Sequence, residues 1–418
     1  MKQRLIIILA VMCIAASASS QEKLSLNDII SAITNNNPDL KSLDAQIRSL
    51  DEAAKGAKNW DPPQIETGFW MTPYDPALWS KQSDGSTGMG QYMIAAQQMF
   101  PNRKMQKARQ EYMENISSVE TERKNFSIND FYAAAKKNIY QWIITKKRLN
   151  VLDQDERILD FMIKNAELRY KNNLGKIGAY YKAKASLGNI ESMRIMLEND
   201  LTQKRIALNT LMNRDKTILF DIDTSYVIQD YSFITFDSTI FINSRSDIKA
   251  VESEIQLADL QQVVERAKLK PEYGLRYVHM FGFGGLPMRY SLVAMVKLPM
   301  VEWSSRESKA NIAGLKWKAE SLHQQKQAII NEAAGMAYSM ESEIQSRQKQ
   351  IKVFEDNILP ALTRNFQTML LAYEQNTEEL FALYDAWETL NMAQLQYLDH
   401  LEQLLLMQAE LERIMEIK

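Results

Sequence analysis

The 418-residue sequence predicts a mostly helical fold with a small β part, built as two copies of one layout: helix, two strands, very long helix, turn, return helix. Three observations predict it. An apolar stripe with steps of three and four runs for about seventy residues from Trp303 to Tyr373, the pattern of a coiled-coil seam. Short runs with period-two alternation end at prolines and feed directly into that stripe and into an earlier helix. Prolines, tyrosines, asparagines, alanines and leucines recur in register between the two halves of the chain.

The long stripe comprises Ile312, Leu315, Ala319, Leu322, Ile329, Ala333, Met336 and Met340. After a one-residue slip it resumes as Ile344, Ile351, Phe354, Ile358, Phe366, Met369 and Tyr373. At 1.5 Å per residue such a helix spans on the order of 100 Å, far beyond a globular average of about 11–12 residues. The first half reads the same way. A helix from Leu24 ends at Asn35–Pro38, and a second runs over 39–58 to the stop at Trp60-Asp61-Pro62-Pro63. Strands follow at about 64–72 and 91–100, then a long helix at about 102–170 and a return helix at about 177–212. Residues 213–243 lose the helical period and read as an irregular segment with a short strand or helix. The second copy, 244–418, has strands at about 272–281 and 289–298, a long helix at about 303–373 and a return helix at about 378–416. Ser246-Asp247-Ile248-Lys249 matches Pro38-Asp39-Leu40-Lys41, and Pro271 matches Pro63 at the same offset. Tyr373, Asn376, Ala386 and Leu390 match Tyr170, Asn173, Ala183 and Leu187 at a second constant offset.

Composition excludes several classes. The net charge is −2, so no basic excess points to nucleic acid. Mean hydropathy is −0.34, and no internal apolar run approaches the ~20 residues of a spanning helix. A β-barrel remains open, because its strands need only ~9–11 alternating residues. Lys2 and Arg4, the apolar run Leu5–Ile14 and the small residues Ala15–Ser20 have the order of a secretory signal, which places the leader at 1–20 and the first repeat at 21–212. The single cysteine, Cys13, lies inside that leader, so the mature chain is expected to have no disulfide, thiol chemistry or Cys-ligated metal. No nucleophile–base pair, phosphate loop or paired-carboxylate site is visible, and His279, His323 and His400 form no ligand pattern. The chain does not read as an enzyme, and no cofactor is expected.

Four strands cannot close a barrel, and in a bilayer each unpaired edge group costs several kcal/mol, so the edges must meet those of other copies. Small closed barrels need at least about eight strands. With this layout, the strand end Gln98-Met99-Phe100-Pro101, the run Ile358-Leu359-Pro360, and Tyr373, Asp385-Ala386 and Leu390, the chain resembles the outer membrane efflux protein family. These are the TolC-like exit ducts of Gram-negative bacteria, and the Gln98–Pro101 end is most similar to their heavy-metal branch. The resemblance implies a homotrimer in outer-membrane lipid, with a twelve-stranded barrel continued by a periplasmic α-helical barrel. It also implies a periplasmic adaptor and an inner-membrane pump as partners. Two other readings stay open: the duct of a type I protein secretion system, and a coiled-coil scaffold without a pore.

The resemblance places Tyr373 at the gate tyrosine and Asp385 at the inward aspartate, which threefold symmetry would turn into a ring of three carboxylates, with Glu378 and Glu379 nearby. The other reading of these acids is a solvated helix face. Asn173, Gly175 and Asn376 mark the tip turns; asparagine tolerates φ > 0 next best after glycine. The family's gate arginine falls on Glu378, which leaves the expected latch without its cation. Pairing of the basic first tip (Lys171, Lys176, Lys182, Lys184) with the acidic second one is a substitute. Pro360 inside the stripe predicts a kink at a cost of about 3 kcal/mol. Of 22 methionines, Met71, Met89, Met93, Met99, Met280, Met288, Met295 and Met300 lie on or beside the strands. They suit either flexible packing or soft Cu(I) or Ag(I) ions.

Overall fold

The computed structural model describes residues 22–172, 177–229, 231 and 237–417; the expected leader 1–20, with Cys13, and the tip residues Asn173, Gly175 and Lys176 lie outside them. In chain order the elements are β1 (Glu22–Leu24), α1 (Leu26–Asn36), α2 (Pro38–Lys55), β2 (Gln64–Trp70), β3 (Gln91–Phe100), α3 (Arg103–Lys171), α4 (Ile177–Leu211) and β4 (Phe220–Ile222). They continue with α5 (Ser238–Ser244), α6 (Ser246–Lys268), β5 (Glu272–Gly282), β6 (Arg289–Lys297), α7 (Glu302–Val353), a π-helical turn (Phe354–Ile358), α8 (Leu359–Glu374) and α9 (Leu380–Met415). These residues form two compact units: a sheet unit, Leu43–Arg123 with Asp247–Ile329, and a hairpin unit, the described residues up to Ser42 with those between Lys124 and Ser246 and from Ile330 onward.

In the sheet unit the strands run in the order β2-β3-β5-β6, all antiparallel. The register sorts the side chains into two unlike faces. One carries Ile65, Phe69, Tyr92, Ile94, Phe100, Tyr273, Leu275, Tyr277, Phe281, Tyr290, Leu292 and Val296. Several of these are strongly exposed, Ile65 at 73% and Tyr290 at 72%. The other face carries Gln64, Glu66, Gln91, Gln97, Glu272, Arg276, Arg289, Ser291 and Lys297, with small residues, methionines, Val278, Val293 and Trp70. Two ion pairs cross it: Glu66 with Arg276 at 2.5 Å and Glu272 with Lys297 at 3.1 Å. Exposed aromatic and branched residues opposite a polar face is the dyad pattern of a membrane strand. β3 alternates weakly as a sequence because Ala and Gln occur on both its sides: Ala96 and Gln98 among Tyr92, Ile94 and Phe100 on one, Ala95, Gln91 and Gln97 with Met93 and Met99 on the other. The loop between β2 and β3 is ordered: Trp79 stacks on Phe283 at 5.5 Å and the Gly88 N–H donates to the Gly284 carbonyl at 2.9 Å. A Cβ on Gly284, whose φ is +54°, would fall 2.5 Å from the Gly88 Cα.

In the hairpin unit the parallel pair β1–β4, joined as Leu24 to Ile222, was not foreseen. Three residues are too few to show alternation. Phe220 of β4 is fully buried against Trp142 of α3, ring centroids 5.5 Å apart. Tyr231 donates to Glu412 of α9 at 2.7 Å, and Lys136 of α3 pairs with the same carboxylate. Arg245 donates to the Ile414 carbonyl at 2.7 Å. These bonds tie the irregular segment to the end of α9.

The seam of α7 differs from the expected one at two places: Ile330, 4% exposed, is the buried residue rather than Ile329, and Ala337 rather than Met336. Met336 is 39% exposed, whereas Ala337 is fully buried. The buried positions therefore run through Ala333, Ala337 and Ile344 with no slip. The expectation favoured the larger apolar residue, but a close helix approach selects the smaller one. Pro360 does not simply kink the stripe. The helix widens just before it, and the Leu359 N–H reaches back five residues to the Phe354 carbonyl. A π-turn re-routes the bonding that proline would otherwise disrupt.

Removing one partner of a buried ion pair leaves the other charge uncompensated, at about 3–5 kcal/mol. Glu412→Ala, which strands Lys136 and the Tyr231 hydroxyl, is expected to destabilise by about 3 kcal/mol or more. The midpoint of thermal unfolding in detergent reads this out, and Glu412→Gln should lose less.

Candidate functional site

The turn between α8 and α9 is built by its hydrogen bonds. The Thr377 N–H donates to the Ala372 carbonyl at 2.9 Å and the Asn376 N–H to the Tyr373 carbonyl at 3.1 Å. With Asn376 at φ +60°, this is a Schellman motif with asparagine in the left-handed position. The helix thus ends where the substitution of Asn for Gly predicted a turn. Pro-free Leu380 then starts α9, buried at 8% exposure.

Arg169, three residues from the end of α3, grips this turn. It donates to the Tyr373 carbonyl at 3.0 Å and to the Asn376 side-chain oxygen, and its guanidinium lies 4.1 Å from the centre of the Tyr373 ring. A cation over an aromatic ring and at helix C-terminal carbonyls is favourable on both counts. Tyr373 is 2% exposed, and its hydroxyl is buried without a hydrogen-bond partner. Burial pushes that hydroxyl's pKa up, with Arg169 pulling the other way. The cation at this turn thus comes from α3, not from the turn itself. Sequence reasoning passed over Arg169, although it precedes Tyr170, the register match of Tyr373.

Around Tyr373 lies the buried cluster that packs the first hairpin on the second: Leu152, Leu159 and Met162 of α3, Ile190 of α4, and Leu383, Tyr384 and Trp387 of α9. The Tyr384 hydroxyl bonds the Ser186 hydroxyl of α4 at 2.5 Å. The basic residues of the first tip are placed differently from the expectation. Lys171 pairs with Glu167 at 2.7 Å on its own helix. Lys182 reaches Glu388 at 3.6 Å and stands 4.1 Å from the Tyr384 ring centre, not at the acids of the turn. Lys184 faces the Tyr180 ring at 5.8 Å. Lysines on the helix sides are simply closer to α9 than to the turn. Glu378, Glu379 and Asp385 are exposed in the single chain. Among the described residues no group of three or more His, Cys, Asp or Glu could hold a metal ion.

No protein-family model matches the sequence, and no curated protein sequence matches it. Solved structures do match the fold. The outer-membrane channel OprN superposes with a TM-score of 0.72 at 15% identity, covering 93% of this chain and 89% of that one. CusC, described with its transmembrane channel formation, gives 0.73 at 14% identity over 93% and 91%. The outer membrane protein VceC of Vibrio cholerae gives 0.71 at 14% identity over 93% and 95%. The chain has the fold of the TolC-like outer-membrane channels, at a sequence distance where the fold alone is shared.

Hydrogen bonds to a charged group contribute about 1.5–3 kcal/mol, and 1.4 kcal/mol is a factor of ten. Arg169→Ala is therefore expected to speed amide exchange at Asn376 and Thr377 at least tenfold. Tyr373→Phe, which removes a hydroxyl with no partner, should leave it unchanged.

Proposed function

We propose that this chain is the outer-membrane exit duct of a tripartite efflux system, working as a homotrimer. The observation that carries the reading is the four-stranded sheet. It has two open edges, β2 and β6, an exposed aromatic face and a polar face crossed by two ion pairs. Three copies would close a twelve-stranded barrel with the polar face inward. The helical hairpins would form the periplasmic tunnel, docked on an adaptor and an inner-membrane pump that supplies the energy. The duct itself moves solutes only downhill.

The turn Glu374–Glu379 and the start of α9 form the gate. Arg169 and the cluster around Tyr373 hold the two hairpins of a protomer together, and threefold symmetry gathers Asp385 into a ring that attracts cations and is blocked by multivalent ones. The working tip residues are Tyr373, Glu378, Glu379 and Asp385, with Arg169 as the latch.

For the cargo, one observation favours soft metal ions over bulkier solutes. Met93 sits directly opposite Met280, and Met99 and Met295 flank Gly274, all on the polar face. A Cβ on Gly274 would meet the Met99 sulfur at 2.3 Å and the Met295 methyl at 2.9 Å, so the two thioether side chains converge over it.

Planar-bilayer recording of the purified trimer tests the duct. The expected result is a narrow, cation-preferring conductance that trivalent cations block, with block weakened at least tenfold in Asp385→Ala. Absence of any channel, in the wild type and in Arg169→Ala, overturns the reading in favour of a scaffold. Sensitivity of a deletion strain to silver and copper, restored by the wild type but not by the Met99→Leu/Met295→Leu double variant, tests the cargo.

A further inference from the structure

A second contact joins the hairpins, and the gate just described does not use it. Asp155 of α3 is 3% exposed in the same cluster as Leu152 and Leu159. Its two carboxylate oxygens are bonded to α9 alone: Oδ1 accepts from the Trp387 indole N–H and Oδ2 from the Asn391 amide, each at 2.7 Å. No lysine or arginine among the described residues pairs with it. The charged groups nearby are engaged elsewhere or exposed. Asp153 and Glu156, its neighbours on α3, both pair with Arg194 of α4, at 2.6 and 2.7 Å. Glu388 of α9 accepts from Tyr384 and pairs with Lys182 of α4. Asp385 of α9 is exposed, and Arg157 of α3 and Glu374 of α8 line an open groove to one side.

A buried carboxylate without a cation is an expensive choice, because desolvation penalises the charged form. The partners chosen for it tolerate both protonation states. The indole can only donate, and it finds an acceptor oxygen in either state. The Asn391 amide donates to a carboxylate; turned over, it accepts from the hydroxyl of a carboxylic acid. A lysine or arginine in its place would hold the charged form only.

We propose that Asp155 is a proton-linked latch between the hairpins: acid holds α3 on α9, and separation of the two helices requires Asp155 to ionise. The proposal rests on the hairpins parting when the duct opens. Burial pushes the Asp155 carboxyl up to about 6 while the helices are packed. Once hydrated, it returns to the ordinary range near 4. Between these values the packed state binds the extra proton, so packing gains stability as pH falls through 6, and nothing is gained above it. Most buried carboxylates paired with cations do the opposite. From pH 7.5 to pH 5 the packed-to-parted ratio should rise about tenfold.

Amide exchange of the full-length trimer in detergent, corrected for the intrinsic pH dependence, reads this directly. In the wild type, protection over residues 380–395 is expected to rise about tenfold between pH 7.5 and 5. In Asp155→Asn it should be flat, and in Asp160→Asn, which removes an exposed acid of α3, the rise should persist. A flat wild-type profile overturns the proposal without recourse to any variant, and so does a rise undiminished in Asp155→Asn. Bilayer recordings of the same samples separate the two readings. A channel that conducts with pH-independent protection defeats the latch alone; no channel at any pH defeats the duct.

Discussion

The open edges of the four-stranded sheet are the constraint on which the rest of the chain depends. β2 and β6 each pair on one side only, and a sheet with an apolar face cannot present bare N–H and C=O groups to hydrocarbon. The protein's answer is written into both faces. Aromatic and branched side chains stand on one face, and on the other two ion pairs link strand to strand. No helix among the described residues is long and apolar enough to cross a membrane.

The hairpin unit meets a different problem. Two helical hairpins of unlike sequence must pack against each other in one register. The apolar cluster supplies the bulk of the contact, and polar groups fix the register: Arg169 on the turn, Ser186 on Tyr384, Asp155 on Trp387 and Asn391. Each links a residue of the first repeat to one of the second. The polar partners at the interface are therefore not equivalent in the two hairpins, although the layout of the hairpins is.

The layout was legible because it is periodic. The strands lie within two residues of their expected limits, and the helices of the two repeats follow the stripes of apolar residues, since a seam or a dyad alternation leaves its period in the sequence. What was not legible depends on partners distant in the chain. Arg169 and Asp155 look like ordinary members of a charged helix face until α8 and α9 are laid beside them. The β1–β4 pair is too short to carry a period. The substitution of Ala337 for Met336 in the seam reflects the separation of two helices, which no single stripe encodes. The resemblance places no cation at Glu378, and the arginine that the turn does meet, Arg169, sits on another helix.

The π-turn before Pro360 also sets which side the lower part of the second hairpin presents. Across it the stripe advances by fours, through Phe354, Ile358 and Phe366, rather than alternating threes and fours. The wider turn takes up this extra phase, as an inserted residue does in a coiled coil. The helix therefore passes the proline unbroken, and its stripe ends on Tyr373, which is buried at the turn.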